Sequence, residues 1–456
     1  MIEITAIDTR SLGDRAYLAT DGSAALVIDP QRDFDRVIEL AAERGVTITD
    51  VFETHIHNDY VTGGYALARA TGAAYHVNAA DQVTFTRTPV ADGDVIEVGA
   101  MRLRALATPG HTFTHLSYAL TGDGTVMAVF TGGSLLYGST GRTDLLGAEH
   151  KADLARAQYG SARRLARELP DAVSVCPTHG FGSFCAATQA QALASTIGRE
   201  KQFNPALTAG EQMYVDTLLA GLDAWPAYYA HMGPANTAGP AGPDLSPPRR
   251  ADAAEVRRAI QAGEWVVDLR ARVTFAAGFV PGSFSFPLDG SFATYLGWVI
   301  PWGTPVTLLG ETPEQLSQAQ RELVRIGIDR PAAAATGQPQ DWAGGAPLAT
   351  LRLAKFGDLA ASTTAARVRS GELAVLDVRR QLEWEDSHIA GAAHIPFNEL
   401  PGRLHEVPPG EVWVHCHSGY RSMVAASMLA AHGRRAISID DDYANAETAG
   451  LPLVRP

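Results

Sequence analysis

Through about residue 230 the chain alternates short apolar runs with loops and amphipathic stretches. Residues 24–29 (AALVID) and 50–54 (DVFET) read as buried strands, and residues 101–107 alternate apolar and polar positions as a half-buried strand does. Residues 126–130 and 172–176 predict two further strands. Residues 152–169 repeat their apolar positions at helical spacing, and residues 207–232 return to a helical pattern that extends this domain. Helices and strands interleaved in this way predict a layered αββα domain over residues 1–232.

Residues 233–250 (GPANTAGPAGPDLSPPRR) are dense in Pro and Gly and poor in large apolar side chains, so they predict a linker. Beyond them one pattern occurs twice. An apolar strand ends in Asp268-Leu-Arg270 and is followed by Gly278-Phe-Val-Pro-Gly282 and Pro287; another ends in Asp377-Val-Arg379 and is followed by His388-Ile-Ala-Gly391 and Pro396. From Asp268 to Asp377 the repeat is 109 residues, a length suited to tandem domains over 251–349 and 350–456.

Composition narrows the functional classes. The 456 residues are 46% hydrophobic and 19% charged, which is globular, and the net charge of −13 disfavours nucleic acids and anionic membranes as partners. No apolar run is long enough to span a bilayer, and the first residues lack the blocks of a secretion signal. The cysteines are Cys176, Cys185 and Cys416; three is no disulfide framework, which predicts a reducing, cytoplasmic setting.

Three histidine clusters each follow a predicted strand: Thr54-His55-Ile56-His57-Asn58-Asp59-Tyr60, Thr108-Pro109-Gly110-His111 and Pro177-Thr178-His179-Gly180. Turning backbone at strand ends aims rings into a cleft, and imidazole with carboxylate suits Zn or Fe. These motifs, with Phe130-Thr131-Gly132-Gly133 and Gly141-Arg142-Thr143-Asp144, resemble the metallo-β-lactamase superfamily, in particular its glyoxalase II and persulfide dioxygenase branch. Two positions depart from that pattern. Tyr60 stands where a histidine is expected, and Gly133 where a metal-bridging aspartate is expected. Without a bridging carboxylate two cations repel unscreened, so no second metal is expected. The resemblance then implies one Fe(II) or Zn(II) on His55, His57 and His111, with Asp59 and His179 in reserve. Arg142 reads either as an ion pair with Asp144 or as a clamp for the carboxylates of a thiol substrate. His115 belongs to no motif, Cys176 reads as buried and inert, and Cys185 as a residue near the cleft.

In the last domain a short strand, 412–415, runs into Cys416-His417-Ser418-Gly419-Tyr420-Arg421-Ser422 and then an apolar helix. Backbone N–H groups of such a loop and the helix N-terminus cradle an anion and favour a thiolate. With Asp377-x-Arg379 and His388-Ile389-x-Gly391 upstream, this resembles rhodanese sulfurtransferases, which implies Cys416 as carrier of sulfane sulfur and Arg421 as its fixed positive charge. Phosphatase loops that also pair Cys with Arg are one residue longer. The matching segment of the middle domain, Gly310-Glu311-Thr312-Pro313, has neither Cys nor Arg, so that domain is expected to be inactive. The whole order resembles persulfide dioxygenase–sulfurtransferase fusions. It implies persulfide oxidation coupled to sulfurtransfer, with a low-molecular-weight thiol or persulfide and thiosulfate or sulfite as partners, in a homo-oligomer. A rhodanese with a degenerate metal domain, a glyoxalase II-type zinc hydrolase and a sulfur-storage protein stay open as alternatives.

Overall fold

The computed structural model describes residues 1–186, 192–361, 367, 370 and 372–456. It divides into two compact units, Met1–Pro243 with Val324–Gly327, and Asp244–Leu323 with Ile328–Pro456.

The first unit is a sandwich of two six-stranded sheets. One orders β1 (Glu3–Thr9), β2 (Asp14–Thr20), β3 (Ala24–Ile28), β4 (Thr47–Phe52), β5 (Ala74–Asn78) and β6 (Thr88–Val90); it is antiparallel to β3 and parallel beyond. The other contains β7 (Val95–Val98), β8 (Met101–Ala107), β9 (Leu116–Gly122), β10 (Thr125–Gly132), β11 (Ser174–Pro177) and β12 (Ser195–Thr196), in the order β12-β11-β10-β9-β8-β7. Their inner faces meet in one apolar layer, with Tyr17, Leu26 and Phe52 from the first sheet and Leu103, Tyr118 and Phe130 from the second. The helices Asp35–Glu43 and Gly64–Thr71 cover the outer face of the first sheet through Val37, Ala41, Leu67 and Ala68. Helix Lys151–Glu168 covers the second through Ala155, Ala162 and Leu165. Alternation along β8 buries Met101, Leu103 and Ala105 in the inter-sheet layer, as a period of two requires. The αββα reading therefore holds.

The helical extension runs further than its composition suggests. Three helices, Pro205–Thr208, Glu211–Ala220 and Tyr229–Ala238, occupy it, so the last crosses residue 233, where the linker reading began. Buried Asn236 explains why a stretch with Pro and Gly packs. Its Nδ2 donates to the carbonyls of His57 (2.8 Å) and Tyr60 (2.9 Å), and its Oδ1 accepts from the Thr62 amide (2.9 Å). Three backbone groups of the first histidine loop are satisfied by one side chain, which outweighs poor helix propensity.

The second unit holds two parallel sheets with one strand order. The middle sheet runs β14 (Phe284–Ser285), β13 (Trp265–Asp268), β15 (Val306–Gly310), β16 (Ala333–Thr336). The last runs β20 (Ala393–His394), β18 (Leu373–Asp377), β21 (Glu411–His415), β22 (Arg435–Ile439), with β17 (Arg352–Ala354) added beyond β22. A small antiparallel pair, β19 (His388–Ile389) and β23 (Leu453–Val454), lies apart. The repeated Asp-x-Arg is the same latch in both. Arg270 Nη2 bonds Asp268 at 2.6 Å and the Gly278 carbonyl at 2.8 Å; Arg379 Nη2 bonds Asp377 at 2.6 Å and the Ser387 carbonyl at 2.7 Å. Asp268 pairs in register with Leu309, and Asp377 with His415. Gly310 therefore holds the middle-domain place that Cys416 holds in the last.

Candidate functional site

The metal-binding candidates gather where β4, β8, β10 and β11 end. Three imidazoles, His55, His111 and His179, offer donor atoms that all lie within 4.8 Å of one another, and all three rings are buried. Their orientation follows from what holds each Nδ1. The Arg142 carbonyl can only accept, so His111 Nδ1 donates to it (2.7 Å). Thr54 Oγ1 gives its proton to the Asp29 carboxylate (2.7 Å), so His55 Nδ1 donates to that hydroxyl (2.9 Å). His179 Nδ1 faces Asp14 Oδ1 (2.9 Å) and Asp59 Oδ2 (3.1 Å). With each Nδ1 committed to oxygen, Nε2 is left as the donor toward a metal. His111 Nε2 is buried with no partner, and His55 Nε2 and His179 Nε2 are 3.4 Å apart. Burial holds His55 well below the usual imidazole range and lowers His111 to about 3, so both rings are neutral donors. Burial also disfavours charge on His179, but Asp59 and Asp14 outweigh it and raise this ring to about 10. A metal there must displace a proton. The three-histidine set could hold a metal ion.

This set differs from the expected one at one position. His57 does not share it; its Nε2 turns to Tyr60 Oη (3.0 Å), Glu53 Oε2 (3.1 Å) and Asp29 Oδ1 (3.2 Å). Burial opposes its charge, yet Asp29 and then Glu53 raise it to about 9, while its Nδ1 is buried with no hydrogen-bond partner. His179, expected as a reserve, stands in the three-histidine group. Two further groups of possible ligands, His57 with Asp59 and His179, and Asp29 with Glu53 and His57, lie equally close. The first of these shares His179 with the three-histidine set.

Gly133 has a steric reason. A Cβ there would lie 2.2 Å from His111 Cδ2, and one on Gly141 would lie 2.7 Å from His111 Nδ1. The two glycines admit the His111 ring, which fills the space a side chain at position 133 would need. His115, outside every motif, stacks on His55 with centroids 4.9 Å apart and accepts the Gly133 amide at 3.1 Å. It is a brace behind the donors.

Arg142 is not a substrate clamp. It is buried, bonds Asp144 in bidentate fashion (2.7 and 2.8 Å), and donates to the Phe184 (3.0 Å) and Asp223 (2.6 Å) carbonyls. Of the two readings the ion pair holds, and the residue serves the site through its own carbonyl on His111. Cys176 and Cys185 are both buried. Burial pushes the Cys176 thiol up to about 12 and holds the Cys185 thiol well above its ordinary range. Asp29, Glu53 and Asp14 are the functional neighbours that the sequence reading missed. For Asp29 and Glu53 the signal was a carboxylate at the end of an apolar strand, as Asp29 ends LVID; Asp14, the first residue of β2, has no such signal.

In the last domain Cys416 follows β21 and is 2% exposed. Its Sγ accepts the Gly419 amide at 3.2 Å, and Gly419, at φ +100°, turns the chain into the helix Tyr420–Ala431. His417 and Ser418 are exposed, while Ser422 is buried with its hydroxyl within hydrogen-bond distance of the Gly419 and Ile439 carbonyls (both 2.9 Å), its one proton going to either. Arg421 is not an unopposed cation. It grips Glu383 through two bonds of 2.6 and 2.8 Å. Burial raises the Glu383 carboxyl, but Arg421 outweighs it and lowers the group to about 2.

Residues 15–179 match the family model of the metallo-beta-lactamase superfamily, and residues 360–447 that of the rhodanese-like domain. The middle segment is matched by neither. The chain is 35% identical over 161 residues to a hydroxyacylglutathione hydrolase of Polaromonas sp., covering 34% of this chain and 57% of that one. It is 28% identical over 208 residues to the mitochondrial persulfide dioxygenase ETHE1 of Homo sapiens, covering 45% and 74%. The chain spans about half the length of the hydroxyacylglutathione hydrolases it matches. Among solved structures, a metallo-beta-lactamase from Staphylococcus aureus subsp. aureus COL superposes with a TM-score of 0.66 at 28% identity, over 74% of this chain and 99% of that one.

Proposed function

We propose that this chain, a metallo-beta-lactamase-superfamily domain followed by a rhodanese-like domain, is a sulfur-metabolism enzyme. In this reading a low-molecular-weight persulfide is oxidised at one metal in the first domain and sulfane sulfur is carried on Cys416. The observation that carries the reading is the Cys416 cradle, a buried thiol whose Sγ accepts a loop amide at 3.2 Å at the start of a helix. Such a cradle stabilises a sulfur-centred anion before and after transfer.

The transfer balances without another cofactor. The Cys416 thiolate attacks the sulfane sulfur of thiosulfate. The new S–S bond forms as the donor S–S bond breaks, and sulfite leaves with the electron pair. An acceptor thiolate then attacks the outer sulfur and regenerates Cys416. Gly419 N–H holds charge on Sγ, and Glu383 fixes Arg421 at the helix start. In the first domain His55, His111 and His179 would hold the metal, with Asp14, Thr54 and the Arg142 carbonyl aiming their rings. Bound Fe(II) would supply open positions for the persulfide and dioxygen. The likeness to hydroxyacylglutathione hydrolases favours a second reading, a zinc hydrolase. The Gly133 environment weighs against it, since no bridging carboxylate fits beside His111.

Two measurements test the proposal. Metal analysis of the purified chain is expected to find one equivalent of iron; two equivalents of zinc would favour the hydrolase. Cys416→Ser is expected to abolish sulfurtransfer from thiosulfate while the fold persists. Full transfer by that variant would put the carrier elsewhere, with Cys185 next to be tested.

A further inference from the structure

The chain on either side of Cys416 meets one aromatic residue of the same domain. Tyr443 ends the run Asp440-Asp441-Asp442-Tyr443, between β22 and the helix Ala444–Thr448. Its backbone amide donates to the His417 carbonyl at 2.7 Å. Its ring stacks on that of His415, the last residue of β21, with centroids 5.6 Å and planes 13° apart. Tyr443 thus grips positions 415 and 417 with different groups, and Cys416 lies between them.

The ring is held by further neighbours. The Arg379 guanidinium lies over it, 3.6 Å from its centroid, and Arg379 is itself fixed by Asp377 and the Ser387 carbonyl. Phe356 meets the ring edge-on at 6.0 Å. Burial lowers His415 below the usual imidazole range although Asp377 opposes it, so a neutral ring faces Tyr443. The Tyr443 hydroxyl is buried with no hydrogen-bond partner, so the ring and not the hydroxyl makes these contacts. The backbone bond has a directional consequence. In a trans peptide the carbonyl oxygen and the following N–H point opposite ways. The bond to the His417 carbonyl therefore fixes the peptide plane that ends at the Ser418 N–H, one residue before the Gly419 amide on Cys416 Sγ.

We propose that Tyr443 is a positioning residue for the sulfur carrier: its ring, packed against Arg379 and His415, fixes the backbone amide that holds the His417 carbonyl, and so aims the Gly419 N–H at Cys416 Sγ. Tyr443 acts through the loop backbone and takes no part in the bond exchange. Small shifts suffice, since a group misplaced by about 1 Å costs on the order of 10²-fold in rate. The bond to His417 is made by main chain, so every side chain at position 443 can form it. What the ring supplies is a fixed place from which it is made. The role rests on the sulfurtransfer reading, but the order of the loop can be measured without it.

The experiment uses the full chain and three variants, Tyr443→Phe, Tyr443→Leu and Tyr443→Ala, with melting temperature as the check on folding. Two quantities are read. The first is hydrogen–deuterium exchange of peptides covering residues 416–422. The second is single-turnover sulfite release from saturating thiosulfate without an acceptor, whose amplitude counts active sites and whose rate constant reports transfer. Tyr443→Ala is expected to exchange at least roughly tenfold faster in those peptides and to lower the rate constant at least roughly fivefold, with its amplitude kept. Tyr443→Leu is expected to fall between, and Tyr443→Phe, which keeps the ring, to stay within about twofold of the parent in both. A merely structural role would instead cut the amplitude, speed exchange throughout the last domain and leave the rate constant parental; that result would overturn the proposal. So would parental loop exchange in Tyr443→Ala, with Tyr443→Leu deciding should the alanine variant fail to fold. Equal losses in Tyr443→Phe would overturn the ring as the working part. No sulfite release by the parent would instead overturn the sulfurtransfer reading, and loop exchange would still decide whether Tyr443 holds the loop.

Discussion

What surrounds each ring nitrogen separates the histidines of the first domain. His55, His111 and His179 each spend Nδ1 on an oxygen, and their Nε2 atoms converge. His57, two residues from His55, turns Nε2 into the carboxylates of Asp29 and Glu53 instead. The two placements predict different phenotypes. His111→Ala is expected to cost at least roughly tenfold in metal affinity, since even a ligand's supporting partner contributes that much; burial lowers that ring, so no buried carboxylate loses a counter-charge with it. His57→Asn is expected to destabilise the metal-free fold by about 3 kcal/mol or more, because Asp29 and Glu53 lose the ring that faces both. Cobalt(II) titration followed by absorption, with chemical denaturation of the metal-free chains, separates the two. Unchanged cobalt affinity in His111→Ala, or unchanged stability in His57→Asn, would overturn the corresponding role. A second residue-scale prediction concerns pH. Glu383 is lowered from 4.5 to about 2, chiefly by Arg421 working against burial. Its contribution to stability is therefore fully present above about pH 4.5 and is lost as pH falls towards 2, and the shift corresponds to about 3 kcal/mol. Glu383→Gln is expected to flatten the stability curve of the second unit in that window; an unchanged slope would show that Glu383 is not the titrating group.

At the scale of elements, the strands and the loops that end them were legible in the sequence, because a period of two and a Gly or Pro after an apolar run are local signals. The strand at Met101–Ala107 and the helix at Lys151–Glu168 lie where patterning puts them. The partners each loop residue finds were not legible, since they arrive from distant strands. Arg142 reads either as an Asp144 ion pair or as a clamp until Phe184 and Asp223 are seen to use its remaining N–H groups. Glu383 reads as one more helix carboxylate until Arg421, 38 residues on, closes onto it. Residues 233–238 read as linker because composition does not record the bonds Asn236 makes. The loop-to-helix junction after Cys416 carries its own prediction. Gly419 has φ +100°, and an added Cβ would press on Asp440 Oδ1, which is pinned by Arg272. Neither the backbone nor the neighbour can yield cheaply, so Gly419→Ala is expected to cost about 1–3 kcal/mol. It would also misalign the amide on Cys416 and lower sulfurtransfer on the order of 10²-fold, as loss of one anion-binding donor does. Thermal denaturation and steady-state transfer from thiosulfate would check both effects. A fully active Gly419→Ala would mean that this amide does not support the thiolate.

On the scale of the whole molecule, two segments share one strand order and only the last carries a cysteine after its central strand. The middle domain retains the strand order and the Asp268–Arg270 latch, but Gly310 and Glu311 stand where a nucleophile would begin its loop. Each chemical site is also assembled within its own unit. Every imidazole and carboxylate at the metal site lies between Asp14 and His179, and every group placed beside Cys416 lies beyond residue 244. No helix among the described residues is long and apolar enough to cross a membrane. This separation makes the two chemistries independently removable. Chelation of the metal is expected to abolish persulfide oxidation and to leave sulfurtransfer from thiosulfate by Cys416 within about twofold of its starting rate, since no Cys416 neighbour is a metal ligand. Conversely, Cys416→Ser is expected to leave metal content and persulfide consumption at the first site unchanged. The pair of measurements, dioxygen uptake with an organic persulfide and sulfite release from thiosulfate, forms a double dissociation. Loss of sulfite release on chelation alone would show that the two sites do not act independently, and would assign the metal a part in the transfer that the residues around Cys416 do not account for.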